Sequence, residues 1–331
     1  MKKTASFDIA KFICAFLVIS IHTYPLLGIH PTLNLILVSG IARIAVPLFF
    51  VISAYFFFQH TDENYVMKYL KKIGKLYLIW SLIYLPFYLL QNSHNGLVIM
   101  VVRYLRNFFF LGSHYHLWFL PALMFALYVV NKFSKYFNLK QILMMSAILY
   151  FIGHLGNIYV NELYQVPILG TFHQLYMNIF ETTRNGLFFG VPFVAMGYLC
   201  AQKLKPQSQG FWYKWIMISI VLYASEFSLL CYFDVMNDLS SMYLMLIPLV
   251  YGIFRWLQAT ELTITPKHVM MRKMSLLIYV SHILFYLIIC RIFVTCDYFT
   301  LFVITCLLTL GFSCGVVYLA KYLPFLKHLY E

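Results

Sequence analysis

Lys11 and His22 stand eleven positions apart in the apolar run Phe7 to Leu26, which also holds Asp8. Ionisable side chains are costly in hydrocarbon, so within a membrane-spanning helix they face a bundle interior or a wet cavity and are functional candidates. At about 100° per residue, eleven steps return two side chains to within about 20° of one face, with a rise of about 16 Å between them. One face of one helix therefore offers a cation near one side of the membrane and an imidazole deeper toward the other. A buried neutral imidazole is a general base near neutral pH when one ring nitrogen stays available. The plainer alternative for His22 is a packed ring at a helix end, bonded to a carbonyl. For Lys11 the alternatives are neutralisation by Asp8, three positions earlier, or a side chain reaching the headgroups.

Other residues extend the set. Arg43, early in the second apolar stretch, needs a carboxylate, phosphate or carbonyl partner, or else an outward reach to the surface. The same stretch carries Pro47, Ser53 and Tyr55, which suit a helix facing other helices. His114 and His116 open the fourth helix beside Trp118; on a helix, alternate residues diverge by about 200°, which disfavours a shared metal, and no metal site is expected. Glu181, Arg184 and Asn185 form a polar cluster leading into the sixth helix. Tyr279 and His282 place a further imidazole inside the ninth.

The elements that must position these groups are membrane helices. The chain of 331 residues is 62% hydrophobic and 11% charged, with a mean hydropathy of +0.79. Apolar stretches of helix length lie near 7–27, 36–58, 74–90, 117–131, 141–155, 186–202, 213–232, 239–257, 274–292 and 299–320. This predicts an all-α polytopic bundle of about ten transmembrane helices, the third and fifth short enough to be tilted or broken. The net charge of +13 follows the positive-inside rule: with the N-terminus cytoplasmic, eighteen basic residues fall on that side, and only Arg103, Arg106, Arg184 and Arg291 on the other. Both termini are then cytoplasmic, and the basic excess reports topology and anionic lipid rather than nucleic acid. No polar linker divides residues 1–331, so a single membrane domain is expected. The start MKKTASFDIAKF lacks a small-residue cleavage site and reads as a retained helix. Six of the seven cysteines fall in apolar segments, with no disulfide framework. Two stretches face outward. Gln91 to His116 holds Arg103 and Arg106 in an interfacial amphipathic pattern; Gly156 to Asn185 is the most polar and the expected receiver of an external substrate. Walker, dinucleotide, G-x-S-x-G and HExxH patterns are absent.

Taken in order, the Lys11 to His22 spacing, VPLFFVISAYFF, HLWFL at 116–120, RNGLFFGVPFVAMG at 184–197 and SLLIYVSHILF at 275–285 resemble the acyltransferase-3 family of ten-helix integral membrane acyltransferases. The resemblance covers nearly the whole chain. It implies transfer of an acyl group, often acetyl, from cytoplasmic acyl-CoA (acetyl-CoA) to a hydroxyl of an extracytoplasmic acceptor, commonly a cell-surface glycan, by a multi-pass protein of the cell membrane. It further implies O-acetylation of a polysaccharide, with the bacterial cytoplasmic membrane as location. His22 matches the family's histidine and would be catalytic. Lys11 stands where the family has arginine, keeping the charge but losing the bidentate fork; Ser53-Ala54-Tyr55 replaces a serine-glycine-aromatic end. With Asp8, Lys11 would serve the donor. Arg43, His116, Trp118, Arg184, Asn185, Tyr279 and His282 are then candidates for oxyanion stabilisation or acceptor binding. The alternative is a transport or sensing relative of the membrane portion of serine racemases, to which amino-acid uptake is attributed.

Overall fold

The computed structural model describes residues 5–60, 62–94, 96–202, 205–236, 240–293 and 295–331. Lys2, Lys3 and Lys203 of the charge tally, and the first residue of the stretch from 239, lie outside the described residues. Among those described, every regular element is helical. In chain order they are α1 (Ala5–Thr23), α2 (Pro31–Phe57), α3 (Glu63–Gln91), α4 (Leu97–Arg106), α5 (Tyr115–Phe133), α6 (Leu139–Ile158), α7 (Pro167–Phe180), α8 (Gly186–Ala201), α9 (Gln209–Tyr232), α10 (Leu246–Ala259), α11 (Pro266–Ile292) and α12 (Tyr298–Leu319).

All ten apolar stretches carry a helix, and among the described residues eight of these are long and apolar enough to cross a membrane. The chain is a multi-pass membrane protein. The other two, α8 and α10, are apolar but shorter, about 24 Å and about 21 Å against a hydrocarbon thickness of about 30 Å. The helix α3 starts eleven residues before its apolar stretch because Asp62 caps it, accepting from the amides of Asn64 and Tyr65 at 3.2 and 3.3 Å. Likewise α6, expected to be short, is extended by an Asn138–Gln141 capping box. The stretch after it, the most polar of those read as outward, contains α7. Its Ile168, Phe172, Leu175 and Ile179 are exposed while Gly170 and His173 are buried, an apolar face in the manner of an interfacial helix. No side chain of α4 is buried, as expected of another.

The chain forms two compact units, residues 1–49 with 256–331, and residues 50–255. The boundaries fall inside α2 and α10, where no linker composition marks them. In the first unit α1 packs on α11 and α12, and Ile36–Ile44 of α2 packs on α1. Ala15, Ile19, Leu277, Ile278, Val280 and Ile283 are fully buried there. Buried hydroxyls are satisfied locally, as where Thr305 and Thr309 donate to carbonyls four residues back at 2.7 and 2.6 Å. In the second unit α5, α6 and α8 pack together. Gly197 lets α8 approach closely: a Cβ there would lie 2.7 Å from the Val51 carbonyl oxygen.

Candidate functional site

In the first unit, α1 and α11 carry the ionisable residues. Asp8 is 5% exposed, and its two carboxylate oxygens accept from Arg272 Nε and Nη2, each at 2.7 Å. Of the alternatives for Asp8, the bidentate hydrogen bonds go to Arg272 rather than Lys11, because the planar guanidinium matches both oxygens where an ammonium offers a point charge. Lys11 is half-buried within electrostatic range of Asp8 and Arg272. The sequence reading missed Arg272. It lies six residues after the first residue of α11 and counted there only as a topology charge.

About three to four turns further along, His22 and His282 bring their rings to 5.3 Å between centroids, tilted by 32°. His282 is fully buried, and its Nδ1 lies 2.7 Å from the Tyr279 carbonyl oxygen. That carbonyl accepts only, so Nδ1 carries a proton. Tyr279 packs on Phe49 at 6.2 Å and on His282 at 6.3 Å, which makes it a wall for the imidazole pair. Arg43 is 7% exposed and therefore does not reach out to the surface. It sits in a break in α2, where a π-helical turn, Ile36–Gly40, gives way to a 3₁₀ turn, Ile41–Ile44, packed on α1. Such irregular turns re-aim side chains and recur at functional sites.

The second unit holds a cavity of about 690 Å³. Its floor is built from a tight turn at Gly112, whose φ of 90° is open to glycine; a Cβ there would lie 2.7 Å from Trp118 Cα. Tyr77 ties the turn to α3, donating to the Phe108 carbonyl at 2.6 Å and accepting from the Ser113 amide at 2.8 Å. The Ser81 and Ser113 hydroxyls meet at 2.6 Å. His114 follows with extended backbone, and this corrects the helical expectation of divergent rings. His114 Nδ1 and His116 Nδ1 lie 3.3 Å apart, both rings 4.8 Å from Tyr84. Burial pushes His114 down to about 4, so its ring is neutral near pH 7. No group of three or more His, Cys, Asp or Glu suited to a metal occurs among the described residues.

The Arg184 guanidinium lies 5.3 Å over the Trp118 ring. Glu181, with a left-handed φ of 51°, ends α7 and pairs with Arg106, which also donates to Asn107 Oδ1 at 3.0 Å. Asn185 lines the cavity and bonds through both ends of its amide. Its Oδ1 accepts from the amides of Leu187 and Phe188 at 3.0 and 3.2 Å, and its Nδ2 bonds Tyr176 Oη and the Thr182 carbonyl. It thereby caps the π-helical turn Gly186–Gly190 that opens α8. Thus the structure groups His22, His282, Tyr279 and Arg43 in one unit with Lys11 and Asp8, and His116, Trp118, Arg184 and Asn185 in the other.

Three relatives are racemases by name. Two amino-acid racemases of Enterococcus faecalis are 32% identical over 60% of this chain and 29% of theirs, and 30% identical over 76% and 35%. A serine/alanine racemase of Enterococcus gallinarum is 28% identical over 77% of this chain and 38% of its own. The chain thus spans about a third of the length of the curated relatives it matches. No solved structure matches. The profile of the acyltransferase-3 family, described as an acyltransferase domain, matches residues 4–318, nearly the whole chain, and the chain belongs to that family.

Proposed function

We propose that the chain is a cell-membrane O-acyltransferase that moves an acyl group, acetyl by preference, from cytoplasmic acyl-CoA to a hydroxyl of an extracytoplasmic glycan. The observation that carries this reading is the layout of α1 and α11. Asp8, Lys11 and Arg272 lie at one end and the His22–His282 pair at the other. On α1, Lys11 and His22 are separated by about 16 Å. In this proposal Lys11 and the outer edge of Arg272 face the phosphates of the donor, and the pantetheine arm runs along the pair of helices. Arg272 then supplies a guanidinium in the layer where the family's arginine is replaced by Lys11.

At the thioester, His22 takes the proton of the acceptor hydroxyl as that oxygen attacks the acyl carbon. The new C–O bond forms, the carbonyl electrons collect on oxygen opposite Arg43, and the C–S bond breaks as they return. The departing thiolate takes the proton from the imidazolium. His282, held in one tautomer by Tyr279, orients His22. The test is labelled acetyl-CoA offered to the purified protein in liposomes. Loss of acyl transfer and thioester hydrolysis in a folded His22→Ala variant is expected; full activity in that variant overturns the assignment.

The racemase names of the relatives favour a second reading, in which this domain binds or moves an amino acid. Uptake of labelled serine into the same liposomes without thioester consumption would establish it in place of the first.

A further inference from the structure

Beside the second unit's cavity lie two helices with apolar faces turned outward, α4 and α7. On α4, Leu97, Val98, Val101, Val102 and Leu105 are exposed and fall within about 140° of the helix circumference. On α7 the exposed stripe is narrower, with Ile168, Phe172, Leu175 and Ile179 inside about 60°. Helices of this pattern lie in the plane of the headgroups, with lipid over the apolar face. The two meet at the cavity. Phe110, in the turn after α4, lines it and stands 5.4 Å, ring to ring, from Phe180, the last residue of α7. Phe110 is itself half exposed, so an apolar edge leads from the lipid side into the cavity.

The polar side of α4 carries the charge. Tyr88 of α3 donates to the Met100 carbonyl at 3.1 Å and packs its ring 4.9 Å from that of Tyr104, which fixes the rotation of α4. In that setting Arg103 stands about 170° from the midline of the apolar stripe and lines the cavity. Its neighbour Arg106 is committed to Glu181 and to Asn107 Oδ1. Arg103 makes no side-chain hydrogen bond or ion pair among the described residues, so its whole fork is available to a ligand. Gln91, exposed at the end of α3, adds an amide to the lining. A planar guanidinium matches two oxygens of a phosphate at once.

We propose that this cavity receives the headgroup of an anionic phospholipid, with Arg103 holding the phosphate and the acyl chains leaving past Phe110 and Phe180 along the outward face of α7. A volume of about 690 Å³ admits a glycerophosphate headgroup, whereas a bare phosphate ion would leave most of it to water. Binding of this kind needs nothing from the first unit and goes beyond both readings of function above.

The experiment measures binding to the purified full chain in neutral detergent at low salt. The probes are dioleoyl phosphatidylglycerol, dioleoyl phosphatidylcholine and glycerol 3-phosphate. Phosphatidylglycerol is expected to bind about tenfold more tightly than either of the others, and its advantage over phosphatidylcholine should shrink as salt rises. Arg103→Gln, which removes no bond of the fold, should reduce that advantage several-fold, while Arg103→Lys keeps part. Arg291→Gln, at an exposed arginine in the last turn of α11, should leave it unchanged. Equal binding of the two phospholipids, or an advantage that survives Arg103→Gln at full strength, overturns the proposal. A loss in Arg291→Gln as large as in Arg103→Gln also overturns it, since surface charge at large would then suffice. Glycerol 3-phosphate bound as tightly as phosphatidylglycerol overturns the lipid as occupant and gives the cavity to a soluble phosphate.

Discussion

A residue's type indicates its chemistry, and its neighbours decide whether that chemistry is used. His282 shows both halves. Its place in an apolar run was visible in the sequence, but its ring contact with His22 spans 260 residues and no spacing rule reaches that far. Because a carbonyl fixes its tautomer, His282→Gln is expected to lower kcat less than the about 10²–10⁴-fold loss expected for His22→Ala. It should also displace the pH profile of transfer, measured with labelled donor between pH 5 and 9, since the neighbour that biases the base is gone. His114 carries a different expectation. Its folded ring resists protonation down to about pH 4 while the unfolded ring accepts a proton near 6.5. The neutral ring's contribution is therefore complete above about 6.5 and lost as pH falls through that window toward 4, at most about 3 kcal/mol. Thermal unfolding in detergent should show this acid-side decline, and His114→Gln should flatten it.

At the scale of elements, the helices were legible because burial and hydropathy share a period, whereas their irregularities were not. Three π-helical turns, Ile36–Gly40, Asn107–Leu111 and Gly186–Gly190, lie beside Arg43, the His114–His116 turn and the Asn185 cap. Nothing local in ILVSG, NFFFL or GLFFG specifies an extra residue in the turn; packing of neighbouring helices does, and that is long-range information. The same limit explains one correction and one choice between alternatives in the site. A histidine pair was assigned helical divergence because the extended backbone at His114 depends on Gly112. Pairing of Asp8 with Lys11 stands among the alternatives from sequence because the competing Arg272 is 264 residues away. Both points are testable as stability. Gly112→Ala should lower the unfolding temperature in detergent, by strain of about 1–3 kcal/mol. Arg272→Met should cost about 1–3 kcal/mol, between the values for exposed and buried pairs, while Lys273→Met at the next position, whose ammonium lies 3.6 Å from the Glu331 carboxylate, costs under about 1 kcal/mol.

At the scale of the whole molecule, composition and charge placement were enough to give a multi-pass helical protein, and the ordered motifs gave its family. The division into two units was not legible, since each boundary cuts through a continuous helix rather than a linker. The two end-to-end pairings of α1 with α11 carry one more consequence. Asp8 meets Arg272 and His22 meets His282, so the two helices run in the same direction. Among the described residues between them lie five helices long enough to cross and the two shorter ones, α8 and α10. A chain returns to its starting direction only after an odd number of intervening crossings. Five or seven satisfy this and six does not, so the short helices cross as a pair or not at all. The total parity is even in either case, and reporter fusions placed ahead of α1 and after α12 are expected to report the same side of the membrane.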